Sequence, residues 1–416
     1  MLRGSHEELL AYFHSVAPSL LRPAEGVLKY PSVAPSLPGK EYSTSLWDWD
    51  TYWTARGLFS VAALTNDTAL HAKLVEHTRG SLLNFFSAQS AEGRIPILMT
   101  VREVDPFGCL GKEGGHTRNQ AKPIMAQMAL LIADETKDVS WLAPYFDQLK
   151  RFHDSWLHSN LAACGLLVWS DDVAIGDDND PATFGRPFFS SANLLLNCLY
   201  HEDLIAAKEL AVRLKRDDEA KAWEEQAGKI AANIRKQCWD ARDAYFYSVD
   251  VQCVDRRKEL ITNIAGGMAM SWNSLPIRIK MFTGFLPLWS GIAEAEQAEA
   301  MIEGSYRKND ELRALAGVRT LSKRETMYSM EKSSNPSNWL GPVWIISNYF
   351  AWKGLVRYGF TAEADDLARK TLSILAADLK QNGSLNEYYH PDTGLALSHK
   401  GFVDWNLLAL EMLPQV

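Results

Sequence analysis

The chain has 416 residues, 47% of them hydrophobic and 23% charged, the make-up of a globular protein. Its formal net charge of −8 leaves no basic surplus to neutralise phosphates, which excludes nucleic acid as the main partner. No apolar run is long enough to span a bilayer, and the N-terminal MLRGSHEELLAYFHSV lacks the apolar core of an export signal, so a cytoplasmic protein without membrane contact is expected.

Helical spacing dominates the sequence. Apolar residues recur at three and four over roughly 5–20, 51–65, 69–89, 119–134, 139–159, 187–214, 216–238, 293–303, 338–358, 361–381 and 402–413. Strand signals are few: LLVWS, AYFYSVD and GVRTLS. The connections over 22–48, 91–118, 170–186, 304–336 and 383–401 are long, polar and rich in Gly, Pro and aromatics, and long loops on a compact helical protein tend to carry function. No period near 34–45 residues repeats, which argues against a solenoid. The expected fold is one all-α toroidal domain over 1–416, with an N-terminal helix and lead-in at 1–40 and the long loops gathered at one end. The five cysteines (Cys109, Cys164, Cys198, Cys238, Cys253) are odd in number and lack C-x-x-C spacing, so reduced thiols are expected, with no metal and no cofactor.

Four loop segments hold clustered functional side chains. LWDWDTYW (46–53) sets Asp50 among Trp47, Trp49 and Trp53. Asp50 could serve as a helix cap, but a carboxylate between tryptophans also suits a sugar, whose hydroxyls the acid holds while the rings cover the apolar face. The stretch 93–127 offers the donors Arg94, Gln120 and Lys122 beside Pro96 and Pro123. The stretch WSDDVAIGDDNDPATFGR (169–186) carries five aspartates and Arg186 in a Gly- and Pro-broken loop, where a solvated turn or a calcium loop is the alternative to a general acid. The last two segments, SNPSNWLGPVW (334–344) and GSLNEYYHPDTGLALSHKGFVDW (383–405), contribute Trp339, Trp344, Glu387, His399 and Trp405. Two carboxyls in separate loops, one acid and one base, are what hydrolysis of a glycosidic bond requires.

The ordered set WDWDTYW, GRIPI, GDDNDPATFG, NPSNWLGPVW and NEYYHPDTG resembles glycoside hydrolase family 63, in particular its short bacterial members, over about residues 40–410. The trehalase and glucoamylase families are more distant likenesses. The resemblance implies an (α/α)6 barrel and an inverting hydrolase acting on a small α-linked glucoside or mannoside, of disaccharide or glycosyl-glycerate type. It implies Asp178 as general acid, Glu387 as general base, and Trp49, Asp50 and Trp339 around the sugar before the scissile bond. Tyr42, Trp47, Arg94, Gln120, Lys122, Arg186, Trp344, His399 and Trp405 complete the expected substrate contacts. Ala174-Ile175 stands where the family commonly has Glu-Ser, which leaves the choice of glycoside open. A homo-oligomer is compatible with this reading. The alternatives are a sugar 2-epimerase using His399, with His116 or His201, and a sugar-binding relative without catalysis.

Overall fold

The computed structural model describes residues 2–113, 116–253, 272–333 and 335–413. In chain order its principal elements begin with α1 (Leu2–Val16), β1 (Ser45–Trp47), α2 (Asp48–Thr65), α3 (Thr68–Ser87), β2 (Leu98–Thr100), α4 (Met125–Thr136) and α5 (Phe146–Asn160). Then come β3 (Ser191–Ala192), α6 (Leu194–Arg213), α7 (Asp217–Cys238), β4 (Val249–Asp250), β5 (Leu275–Pro276), α8 (Leu286–Trp289) and α9 (Ala295–Met301). The last are β6 (Val343–Trp344), α10 (Ile345–Arg357), α11 (Thr361–Asn382), β7 (Tyr388–Tyr389), β8 (Ala396–Ser398) and a closing 3-10 helix (Asp404–Leu410). The fold is mostly helical, with small two- and three-stranded sheets among the loops.

Burial separates two kinds of helix. In α6 every residue from Leu194 to Tyr200 is buried, and in α2 every residue from Asp48 to Ala55, so these helices are enclosed on all sides. In α7 the buried residues are Ala220, Trp223, Ala227, Ile230, Ala231, Ile234 and Cys238, a single stripe at three-and-four spacing. The contacts of the enclosed helices close on themselves: α2 meets α4, α4 meets α6, α6 meets α8, α8 meets α10, α10 meets the closing 3-10 helix, and that helix meets α2. Helix α3 packs on α2 and α4, α7 on α6, α11 on α10, and α1 on α2 and α11. The contact of α2 with the closing helix depends on Gly57, where a Cβ would fall 2.3 Å from Leu407 Cβ.

The sequence pattern and the structure differ at several helix ends. The expected helices at 119–134, 187–214 and 338–358 begin late, at Met125, Leu194 and Ile345, because the residues before them are turns, bends and irregular chain, with the strands β3 and β6 among them. The lead-ins to α4 and α10 are buried throughout, so their apolar spacing imitates another helical turn, while that to α6 is exposed at Phe188 and buried from Ser190 onward. The C-terminal helix is 3-10 rather than α, α8 carried no periodic signal, and LLVWS forms only an isolated bridge between Leu161 and Leu167.

Candidate active site

The segment entering α2 makes the floor of a tryptophan-walled cavity. Strand β1 pairs antiparallel with β2, Trp47 opposite Leu98, which fixes the direction in which α2 leaves. Asp48, fully buried, accepts from the backbone N–H of Trp49 at 2.8 Å and of Lys122 at 2.6 Å. Lys122 Nζ closes an ion pair with Asp48 at 3.1 Å, donates to the carbonyl of Ala174 at 3.1 Å and lies 5.5 Å from the centre of the Trp49 ring. Asp50 is not the cap of the helix: it lies within the first turn of α2, on the cavity wall.

The aspartate-rich loop is fastened at both ends. Asn119 donates to the Asp171 and Val173 carbonyls and to Asp171 Oδ1, each at 2.9 Å, while its own Oδ1 accepts from Ser170 N–H at 2.8 Å. Asp180 accepts from Ala182 N–H at 2.7 Å and from Asn193 Nδ2 at 2.6 Å, and Asn179 Oδ1 accepts from Trp339 N–H at 2.8 Å. Between these anchors Ala174 adopts φ 54°, a left-handed conformation unusual for alanine. Gly176 (φ +105°) brings the chain so close to Trp49 that a Cβ there would meet the indole at 3.1 Å. Asp178 is thereby presented to the cavity, where its Oδ2 accepts from Asn335 Nδ2 at 3.1 Å. Burial raises the Asp178 carboxyl above the usual range, against the opposing pull of Asn335 and Lys122. The solvated-turn reading fails here, since Asp177 and Asp180 are fully buried and Asp171 nearly so.

The opposite wall comes from a three-stranded antiparallel sheet. Trp344 of β6 lies opposite Tyr388 of β7, which lies opposite Ser398 of β8, and Glu387 N–H donates to the Ser398 carbonyl at 2.9 Å. Asp378, near the end of α11, fixes this loop by accepting from Asn386 N–H at 2.9 Å and Tyr389 OH at 2.8 Å. Glu387 Oε2 bonds His399 Nδ1. Burial raises the Glu387 carboxyl while His399 pulls it down, and in return Glu387 raises the His399 imidazole. The rings of Phe282, Trp339, Trp344 and Tyr388 stack in series, with centroid spacings of 5.6, 4.0 and 4.8 Å. Trp405 stands edge-on to Trp49 at 5.7 Å.

These walls enclose a cavity of about 350 Å³. It brings together Tyr42, Trp47, Trp49, Asp50, Lys122, Asp178, Trp339, Trp344, Glu387 and Trp405 of the expected residues. Three others stand elsewhere. The Arg94 guanidinium donates to the Cys109 carbonyl at 3.0 and 3.2 Å and to the Arg118 carbonyl, Gln120 Oε1 accepts from Ser155 at 3.1 Å, and Arg186 pairs with Asp250. Their polar groups serve the scaffold. His399 reaches the site only through Glu387, and His201 pairs with Glu202 at 3.0 Å. Ser334 and the side chain of His116 lie outside the described residues. The wall also includes Phe107, Asp172, Val173, Phe184, Asn335 and Ser337, which the sequence reading passed over. Asn335 lies inside the quoted NPSNW segment, but an asparagine between prolines and serines reads as a turn residue.

A family model for the mannosylglycerate hydrolase MGH1-like glycoside hydrolase domain matches residues 46–403. The chain belongs to that family of glycoside hydrolases. Mannosylglycerate hydrolase MGH1 of Selaginella moellendorffii is 33% identical over 112 residues, covering 27% of this chain and 20% of the relative. Mannosylglycerate hydrolase of Thermus thermophilus is 28% identical over 151 residues, covering 35% of this chain and 32% of the relative. The matches thus span a fifth to a third of those relatives' length. A family 63 mannosylglycerate hydrolase from a second strain of Thermus thermophilus, solved with glucose, shares the fold: TM-score 0.68 at 20% identity, covering 95% of this chain and 98% of that one. Neutral trehalase Nth1 of Saccharomyces cerevisiae gives 0.66 at 18% identity, covering 92% and 74%.

Proposed function

We propose that the protein is an inverting glycoside hydrolase acting on a small α-linked glucoside or mannoside, of disaccharide or glycosyl-glycerate type. The observation that carries this is the pairing of Asp178 and Glu387, from separate loops, on one tryptophan-walled cavity. Their surroundings suit opposite roles. Asp178, raised by burial, donates its proton to the leaving oxygen. Glu387, whose ionised form His399 favours against the opposing effect of burial, takes a proton from the water that attacks the opposite face of the sugar ring. Asp50 accepts from sugar hydroxyls while Trp49, Trp339 and Trp405 cover the ring's apolar face. The family of the chain supports the reading, as do the relatives solved with glucose and with Tris and D-glycerate. The closed circuit of enclosed helices supports an (α/α)6 barrel forming one domain, with the cavity at one end. Five free thiols fit a cytoplasmic setting.

The test is a panel of trehalose, kojibiose, glucosylglycerate and mannosylglycerate, following by NMR which anomer appears first. Release of the β-anomer is expected; first release of the α-anomer overturns the inverting assignment. On the substrate so found, Asp178→Asn and Glu387→Gln should each lower kcat by about 10²–10⁴-fold while the circular dichroism spectrum stays native. Near-normal turnover in either variant removes that residue from its role.

A further inference from the structure

Behind the cavity wall stands a second carboxyl that the mechanism above does not use. Asp404 opens the closing 3-10 helix and is fully buried, with 0% of its surface exposed against 8% for Asp50. Thr54, one turn beyond Asp50 on α2, donates from Oγ1 to Asp404 Oδ1 at 2.9 Å. Among the described residues Asp404 Oδ2 has no N–H or hydroxyl partner, and the Asp50 carboxyl faces Asp404 closely enough for the two side chains to share a hydrogen bond. Two carboxyls can share a hydrogen bond only through a proton, since neither ionised oxygen has anything to donate.

We propose that Asp404 is a positioning residue for the sugar pocket: it holds the proton shared with Asp50, and so presents Asp50 to the ligand as a pure hydrogen-bond acceptor. The proposal rests on reading the cavity as a sugar site. The position of the proton follows from the surroundings. Asp404 is the more deeply buried of the two and faces the Glu387 carboxyl, which disfavours its ionisation, while Asp50 lies on the cavity wall, where Lys122 offsets part of the stronger repulsion from Asp48. On the cavity side Tyr42 faces Asp50, Glu387 and Asp178. Burial is the main cause that pushes Asp50 up, to about 7, and it pushes Asp404 further. Two ionised carboxyls at this contact would repel each other, so the pair holds on to one proton and gives it up only on the alkaline side. A doubly ionised pair would repel itself, and Asp50 would leave the position in which it accepts from a sugar.

The test compares Asp404→Asn with Asp404→Leu. Asparagine can still donate to Asp50 and accept from Thr54, but has no proton to lose; leucine does neither. In the wild type, KM should rise on the alkaline side by about tenfold per pH unit, as a binding form that needs one proton requires. In Asp404→Asn that rise should vanish, with KM at neutral pH at least tenfold below that of Asp404→Leu. Superposable KM–pH profiles for wild type and Asp404→Asn overturn the proposal. A second measurement needs no substrate and so fails separately from the glycosidase reading. Infrared spectra of enzyme carrying ¹³C-labelled aspartate should show a protonated-carboxyl band at neutral pH that loses one component in Asp404→Asn. An unchanged band overturns the shared proton even if the leucine variant does not fold.

Discussion

Replacing Lys122 by methionine separates a structural reading of that residue from a substrate-contact reading. Lys122 is 2% exposed and pairs at 3.1 Å with Asp48, which is fully buried. Methionine fills much the same volume but leaves the Asp48 carboxylate without its counter-charge. Breaking a buried pair by removing one partner costs about 3–5 kcal/mol. Here the lower end applies, because Asp48 keeps the N–H donors of Trp49 and Lys122, which the substitution does not touch. Stability should therefore fall by about 3 kcal/mol in urea unfolding. The double variant with Asp48→Asn should recover much of that loss, because no buried charge is then unpaired. Activity should fall as well, since Lys122 Nζ also holds the Ala174 carbonyl four residues before Asp178, and displacing an acid by about 1 Å can cost on the order of 100-fold. The assay is a four-member cycle of urea midpoints with kcat measured on each folded protein. A Lys122→Met protein within about 1 kcal/mol of wild type, or a double variant no more stable than the single, would refute the reasoning.

Two further predictions concern pH. The hydrogen bond from His399 lowers Glu387, so His399→Asn, chosen because asparagine tolerates the φ of 47° found there, should let Glu387 rise. The acid limb of the kcat/KM profile then moves to higher pH, and an unmoved limb would show that His399 does not tune the base. Asp177 is fully buried, its carboxyl oxygens have no side-chain partner among the described residues, and burial raises it well above the usual range. A raised carboxyl is no burden below its unfolded value, and stability is lost as pH climbs toward the folded value. Asp177→Asn should thus match wild type near pH 4 and gain on it as pH rises through neutrality; a constant difference in urea midpoints across that range contradicts this.

Much of the architecture was legible in the chain. The stripe in α7 repeats at three and four because a helix with one buried face has no other way to arrange its apolar residues. The segments that carry Asp178 and Glu387 were marked by glycine and proline, which break helices, and the segment that carries Asp50 by its cluster of tryptophans. The starts of α4 and α10 were misread because their lead-ins are buried on every side, and burial from all directions leaves no period to distinguish a helix from an extended chain; the lead-in to α6 is a turn followed by β3.

Which polar groups meet was decided only by the tertiary structure. Arg94, Gln120 and Arg186 carry the donors a sugar site needs, yet packing turns each toward a carbonyl, a serine or an aspartate of the scaffold. Asp404 lies 354 residues after Asp50, since 404 − 50 = 354, and gave no sign in sequence of sharing a proton with it. Periodicity is a local property of the chain, so sequence determined the helices and the loops between them. Desolvation and hydrogen bonding depend on neighbours contributed from anywhere along it. The protonation states on which the proposed chemistry depends therefore appear only once the chain has closed around the cavity.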